Sequence, residues 1–256
     1  MAFFMARILS DSRVIQAAAL KNIRVVLTQP SHPGNIGAAA RAMKTMGLNA
    51  LYLVNPRHFP HDEADRRAAG ALDVLESAEV CSSLAQALSG CVLAVATSAR
   101  ARGLRHEMKS AREAAGALLS AAASHPVALV FGNETSGLSN DEASLCQLWS
   151  YVPANAEFSS LNLAAAVQIF AYELRMAISD GVWPEVVEFE PASLEQVERL
   201  YVHFEQTMVS TGFLDPANPK RLLSRLRRLL ARARLEAEEV NILRGFLNTI
   251  VKRPPK

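Results

Sequence analysis

Phe131–Leu163, FGNETSGLSNDEASLCQLWSYVPANAEFSSLNL, is the stretch whose reading decides the fold. It opens at the end of a short apolar run, Val127 to Phe131, and breaks at once into Gly132-Asn133-Glu134-Thr135-Ser136-Gly137. A second polar loop, Asn155 to Ser160, comes directly before an apolar segment, 161–178, that reads as a long helix. Two buried strands therefore each deliver the chain into a Gly- or Ser-bearing loop. In open parallel sheets the crevice at the carboxyl ends of the strands is where ligands sit, so the paired loops mark the place to look for a site. Either loop alone could equally be an ordinary strand-to-helix turn.

Upstream, the chain alternates in the same way. Ile23 to Leu27 is short and β-branched, Ile36 to Met46 is made of helix formers, and Leu51 to Val54 is again apolar, which is a β-α-β unit. Its first loop, Gln29 to Asn35, holds two prolines and a glycine, so the backbone there is stiff and sharply turned. Arg41 follows within two helical turns and can point toward whatever that loop holds. After a turn-rich stretch, 55–70, residues 78–88 read as helix and 91–97 as a buried strand. A polar loop bearing Arg100, Arg102 and Arg105 runs over 98–108, and 110–123 reads as helix. Ser139-Asn140-Asp141-Glu142 has N-cap and first-turn chemistry for a helix through Gln147, and 151–153 reads as a strand end. Continuous apolar strands separated by helices predict an α/β fold, a parallel sheet covered on both faces.

A boundary follows at 180–192, an acidic, proline-bearing linker. Beyond it three helical stretches are expected, at 194–209, 219–233 and 236–250, forming a small helical domain over 193–256. The larger domain spans 22–179, and 1–21 reads as a flexible extension with neither a signal peptide's apolar core nor the ~20 apolar residues of a membrane span. The overall charge is +2, but residues 193–256 hold 12 Lys+Arg against 7 Asp+Glu. Arg221, Arg225, Arg228 and Arg232 recur at spacings that stack them on one helix face, with Leu222, Leu223, Leu226, Leu229 and Leu230 on the other. That stripe fits a polyanion, and equally a solvated bundle face. Half of the residues are hydrophobic and a fifth charged, as in an ordinary globular protein. Three scattered cysteines without CxxC spacing predict reduced thiols, a cytoplasmic protein and no metal site.

Several chemistries find no motif. No GxGxxG follows a strand, no glycine loop ends in a Walker lysine, Ser159 and Ser160 lack a GxSxG elbow, and the six histidines form no HExxH pattern.

What does match is an ordered set of three segments. Thr28-Gln29-Pro30-Ser31-His32-Pro33-Gly34-Asn35-Ile36-Gly37 through Arg41, then Phe131-Gly132-Asn133-Glu134 with Gly137-Leu138, then Ser159-Ser160-Leu161-Asn162, resemble the motifs of SPOUT-class RNA ribose 2′-O-methyltransferases. The tail, Asn218-Pro219-Lys220-Arg221 through Asn241-Ile242-Leu243-Arg244-Gly245, is similar to that of the TrmJ type, bacterial tRNA (cytidine/uridine-2′-O-)-methyltransferases. The resemblance spans about 22–250. It implies a deep trefoil knot in the α/β domain and S-adenosylmethionine held by Thr97, Ser98, Ala99, Gly132, Glu134, Val152, Ser159, Ser160 and Leu161. It implies catalytic roles for Arg41, Ser160 and Asn162, and a homodimer with shared active sites. RNA contacts are expected at Asn35, Arg41, Arg102, Arg105, Arg221, Arg225 and Arg228. The implied reaction is methylation of a ribose 2′-OH in tRNA at nucleotide 32 of the anticodon loop. Ribosomal RNA as substrate, or RNA binding without catalysis on the same fold, are the alternatives.

Overall fold

The computed structural model describes residues 19–99, 108–179 and 190–251. Its centre is one sheet of strands β1 (Ile23–Thr28), β2 (Ala50–Val54), β3 (Glu79–Cys81), β4 (Leu93–Thr97), β5 (Met108–Ser110), β6 (Val127–Phe131) and β7 (Leu148–Tyr151). The spatial order is β3-β2-β1-β6-β4-β7-β5, and every pairing is parallel. All five residues of β6 are buried. Its alternate side chains enter two different cores: Val127, Leu129 and Phe131 on one face, Ala128 and Val130 on the other. A strand buried on both faces has to be apolar throughout, and that is why the run is continuous.

The first core is closed by α1 (Pro33–Met46), α5 (Ala111–Ala122) and α7 (Leu163–Ser179). Proline occupies the first turn of α1, where a missing N–H costs nothing, and Gly47 ends the helix at φ 89°. Ser110 and Glu113 form a capping box at the start of α5. Phe131 at the end of β6 meets Phe170 of α7 edge-to-face, with centroids 5.7 Å apart. Ala19 and Leu20, counted above with the extension, are 1% and 2% exposed and belong to this core, so the folded domain begins before residue 22.

The parallel α/β sheet is as expected, with local differences. The stretch 55–70 is not merely turns, because α2 (Asp62–Ala68) forms there, followed by a 3-10 turn and α3 (Leu72–Glu76). The helix expected over 78–88 is split into strand β3 and a short α4 (Leu84–Ala87). Ser82 and Ser83 make the break: Ser83 Oγ caps α4 by accepting from Gln86 N, while Gln86 Oε1 accepts from Ser82 N. The helix expected to reach Gln147 is only α6 (Asn140–Ser144), and β7 starts at Leu148 rather than Tyr151. Part of the chain on which the expected knot turns, 100–107, lies outside the described residues, and Arg102 and Arg105 lie there too.

The carboxyl-terminal helices are α8 (Leu194–Ser210), α9 (Leu222–Ala233) and α10 (Ala237–Val251). Their core is small, built on Leu200, Val240 and Leu247. Residues 190–192, assigned above to the linker, are instead tied down: Ala192 N donates to Leu235 O and Ala237 N to Glu190 O, each at 2.9 Å. Leu194 N donates to Cys91 O at 2.8 Å and Ser89 Oγ to Glu195 Oε1 at 2.7 Å, docking the module on the main domain. The seam holds a cavity of about 190 Å³ lined by Val92, Leu93 and His125 from the amino ends of β4 and β6, and by Leu230 and Arg234. The module thus sits at the amino end of the sheet.

Candidate active site

At the opposite, carboxyl end of the sheet, the loops after β4, β6 and β7 enclose a second cavity of about 230 Å³. Adjacency of β6, β4 and β7 in the sheet makes this possible, because each strand ends on the same edge. Thr97, Ser98 and Ala99 form one wall, Gly132 to Leu138 the second, and Val152 with Ser159, Ser160 and Leu161 the third. All nine residues expected to hold the cofactor line this one cavity. Its floor, Phe131, Leu163, Ala166 and Phe170, was not read from the sequence, although 163, 166 and 170 follow helical spacing on one face of α7.

The β6 loop is held shut from within. A Cβ built on Gly132 would lie 2.1 Å from Leu138 N and 2.2 Å from Gly137 C, so no other residue fits. Gly137 closes the turn at φ 67°, donating to Asn133 O at 2.8 Å. Asn133 Oδ1 accepts from Thr135 N at 2.9 Å, and its Nδ2 donates to Gln29 O at 2.7 Å, which joins this loop to the one after β1.

Glu134 makes the stronger connection. Its Oε2 accepts from Ser31 N at 2.9 Å and from Ser31 Oγ at 2.8 Å. Its Oε1 accepts from His32 N at 3.2 Å and from Asn35 Nδ2 at 3.0 Å. Burial would raise the pKa of this carboxyl, but the donors from Asn35 and Ser31 outweigh it and hold it down at about 2. Glu134 is therefore an anion at neutral pH whose oxygens are spent on the β1 loop. Asn35 completes the chain of contacts, its Oδ1 accepting from Asn162 Nδ2 at 2.9 Å. Asn162 Oδ1 in turn accepts from Ala164 N at 2.9 Å and Ala165 N at 3.3 Å, capping the start of α7.

The residues expected to be catalytic are thus distributed unevenly. Ser160 lines the cavity; Asn162 lies next to it in the chain with both side-chain ends engaged. Asn35, expected as an RNA contact, is engaged in the same way between two loops. Arg41 does not line the cavity in its own chain. It is exposed on α1, and its guanidinium makes no hydrogen bond or ion pair among the described residues. Of the basic stripe, Arg221, Arg225 and Arg232 are exposed and Arg228 is half-buried. The intervening Arg227 points inward, donating to Glu198 Oε2 at 2.8 Å with its guanidinium 4.4 Å over the Tyr201 ring. Leu229, expected on the apolar face, is 54% exposed at the edge of the arginine stripe.

Hydroxyls and backbone amides on two walls and aromatic or aliphatic carbons below suit a ligand that is part apolar ring and part polyol. No group of three or more potential metal ligands occurs among the described residues, and no described helix is long and apolar enough to cross a membrane.

Comparison with known proteins agrees with this geometry. Residues 22–172 match the SpoU rRNA Methylase family, and 195–255 match the tRNA methyltransferase TrmJ C-terminal domain. The tRNA (cytidine/uridine-2′-O-)-methyltransferase TrmJ of Pectobacterium atrosepticum is 51% identical over 236 residues, 91% of this chain and 98% of that protein. The Pseudomonas aeruginosa tRNA (cytidine/uridine/adenosine-2′-O-)-methyltransferase TrmJ is 47% identical over 91% of this chain and 95% of its own length. The crystal structure of TrmJ from Z. mobilis superposes with a TM-score of 0.79 at 34% identity, covering 90% of this chain and 99% of that one. With both parts matched in order and the three motif loops gathered on one edge of the sheet, the chain belongs to the SpoU methylase family, in its TrmJ branch of RNA 2′-O-methyltransferases.

Proposed function

We propose that this protein transfers a methyl group from S-adenosylmethionine to the ribose 2′-OH of nucleotide 32 in the tRNA anticodon loop, acting in the cytoplasm as a homodimer. The TrmJ relatives and the match to the TrmJ C-terminal domain support tRNA over ribosomal RNA. When bound, S-adenosylmethionine supplies an electrophilic methyl on a sulfonium, so the reaction needs in-line positioning and no metal. The observation that carries the dimeric reading is the placement of Arg41. An exposed arginine without a partner among the described residues lies off the cavity of its own chain, and in this reading it completes the site of a second one.

A guanidinium titrates above ~12 and is a poor base. Arg41 instead clamps a phosphate and stabilises the negative charge that develops on the 2′-oxygen as its proton leaves. Ser160 aligns the hydroxyl. Asn162 and Glu134 act one step back, holding the three loops at fixed separation, and Arg221, Arg225 and Arg228 bind the RNA backbone. Calorimetric titration with S-adenosylmethionine, followed by methylation of tRNA transcripts that differ only at nucleotide 32, tests the reading. Absence of cofactor binding would sink it, and indifference to nucleotide 32 would remove the position assigned. Equal transfer to ribosomal RNA fragments would favour the other substrate.

A further inference from the structure

Phe158 is 78% exposed, the most exposed large apolar side chain among the described residues. Its N donates to Asn155 O at 3.0 Å, and Glu157 N donates to Asn155 Oδ1 at 3.1 Å, so a hydrogen-bonded Asx turn sets where the ring stands. Directly after it come Ser159, Ser160 and Leu161, which line the cavity at the carboxyl end of the sheet, whereas Phe158 does not. Exposure alternates along this stretch: Phe158 is exposed, Ser159 half-buried and Ser160 exposed. The ring and the Ser160 hydroxyl therefore share the outward side of the chain, on residues at most ~7 Å apart along the backbone.

Three occupants compete for an aromatic ring in this place: the cofactor, a second subunit and the RNA. The cofactor is the poorest, since the cavity has its own apolar floor in Phe131, Leu163, Ala166 and Phe170 and the Phe158 ring stands outside it. A subunit interface is built on a contiguous apolar patch, and the turn residues beside the ring, Asn155, Ala156 and Glu157, are exposed and mostly polar. A nucleobase needs one flat apolar surface and no more. Glu157 repels phosphate, so the tip of this turn accepts a base and not the sugar-phosphate backbone. A ribose whose 2′-OH meets Ser160 carries its base outward from the cavity mouth, toward the side on which the ring stands.

We propose that Phe158 is the platform on which the base of the target nucleotide stacks, holding that nucleotide's ribose 2′-OH at Ser160. The inference rests on the ribose methylation proposed above and adds the group that fixes the base. A ring stacks on the face of a base and leaves its edges free, so Phe158 orients the nucleotide without choosing it. Anchoring the base restricts the ribose to one approach, and this shows in turnover more than in tRNA affinity, which phosphate contacts dominate.

The test is a cycle between Phe158→Ala and a full-length tRNA whose nucleotide 32 keeps its ribose but lacks its base. On intact tRNA, Phe158→Ala should lower kcat/KM roughly tenfold to a hundredfold, the range of a lost base–aromatic stack. Phe158→Tyr should keep the wild-type rate, and Phe158→Leu, apolar but not planar, should fall with the alanine variant. On the abasic tRNA the wild type and Phe158→Ala should agree within about twofold, because the partner of the ring is gone. An equal loss on both tRNAs, or a Phe158→Leu as active as Phe158→Tyr, overturns the stacking and leaves the methylation standing. Weaker S-adenosylmethionine binding by calorimetry in Phe158→Ala would put the ring on the cofactor, and dissociation of the dimer in sedimentation would put it under the second subunit; either overturns the proposal. A wild-type protein that transfers no methyl to intact tRNA overturns both the stacking and the reading beneath it.

Discussion

Replacing Glu134 by Gln keeps the volume and removes the charge. In the wild type two carboxylate oxygens accept four donors, at 2.9 and 2.8 Å from Ser31 and at 3.2 and 3.0 Å from His32 and Asn35. An amide offers only one oxygen, and its NH₂ must face donors, so at least one pair of these bonds is lost. Hydrogen bonds to a charged group are worth ~1.5–3 kcal/mol each, and the partial exposure of this site screens them, so the net loss at neutral pH is put at ~2 kcal/mol. The carboxyl sits at about 2 in the folded protein against an ordinary 4.5, so the native state binds fewer protons than the unfolded one in this range. Its contribution is complete above 4.5 and is lost as pH falls toward 2. Urea unfolding of both proteins across that range should show a gap that is full at pH 7 and closes below pH 4.5. Subtraction cancels the titration of other groups. A gap that stays constant down to pH 2.5, or one below ~0.5 kcal/mol at pH 7, would refute the account of Glu134 as an ionic strut.

Two glycines give opposite outcomes. Gly37→Ala should lower stability by at least ~1–3 kcal/mol, because its Cβ would lie 2.0 Å from Ala64 O of α2, while Gly116→Ala, with nothing within 4 Å on α5, should raise it by ~0.5–1 kcal/mol in thermal melts. Arg225→Ala should leave the melting temperature unchanged and lower the slope of log affinity for tRNA against log salt by ~1, whereas Arg227→Ala should destabilise the carboxyl-terminal helices by leaving Glu198 unpaired. Mixing inactive Arg41→Ala with Ser160→Phe, which fills the cavity, should restore about a quarter of wild-type activity, since half of the dimers then hold one intact site of two. No recovery after subunit exchange would place Arg41 in its own chain's site.

The central strands were legible because burial on both faces forces an unbroken apolar run, as in Val127–Phe131. The loops following β4, β6 and β7 were legible for a related reason, since each begins where such a run or a following helix sets its limit. The edge of the sheet was not. Met108-Lys109-Ser110 becomes a strand only because Leu148–Tyr151 lies alongside it, and no local propensity encodes that. Helix α2, Asp62–Ala68, was hidden because its buried residues are two alanines, Ala64, which lies against Gly37, and Ala68, and small residues leave a faint periodic signal. The residues that line the cavity could be named from the sequence, but their hydrogen-bond engagement could not. Spacing put Asn35 and Arg41 on one helix, while only the neighbouring loops decide that Asn35 turns inward to Glu134 and Asn162 and that Arg41 is left outward.

The docking of the carboxyl-terminal module at the amino ends of β4 and β6 sets a length scale for the substrate. A five-residue strand is ~17 Å long, so within one chain the foot of the arginine-bearing helix and the methyl-transfer cavity are separated by at least the depth of the sheet. If RNA is held at both places, as proposed above, it has to run along the flank of the protein or, in the proposed homodimer, cross to the second subunit. The enzyme would then gauge how far the reactive ribose lies from the body of the molecule, and a hairpin cut down to the loop would present the right hydroxyl with nothing for the far grip to hold.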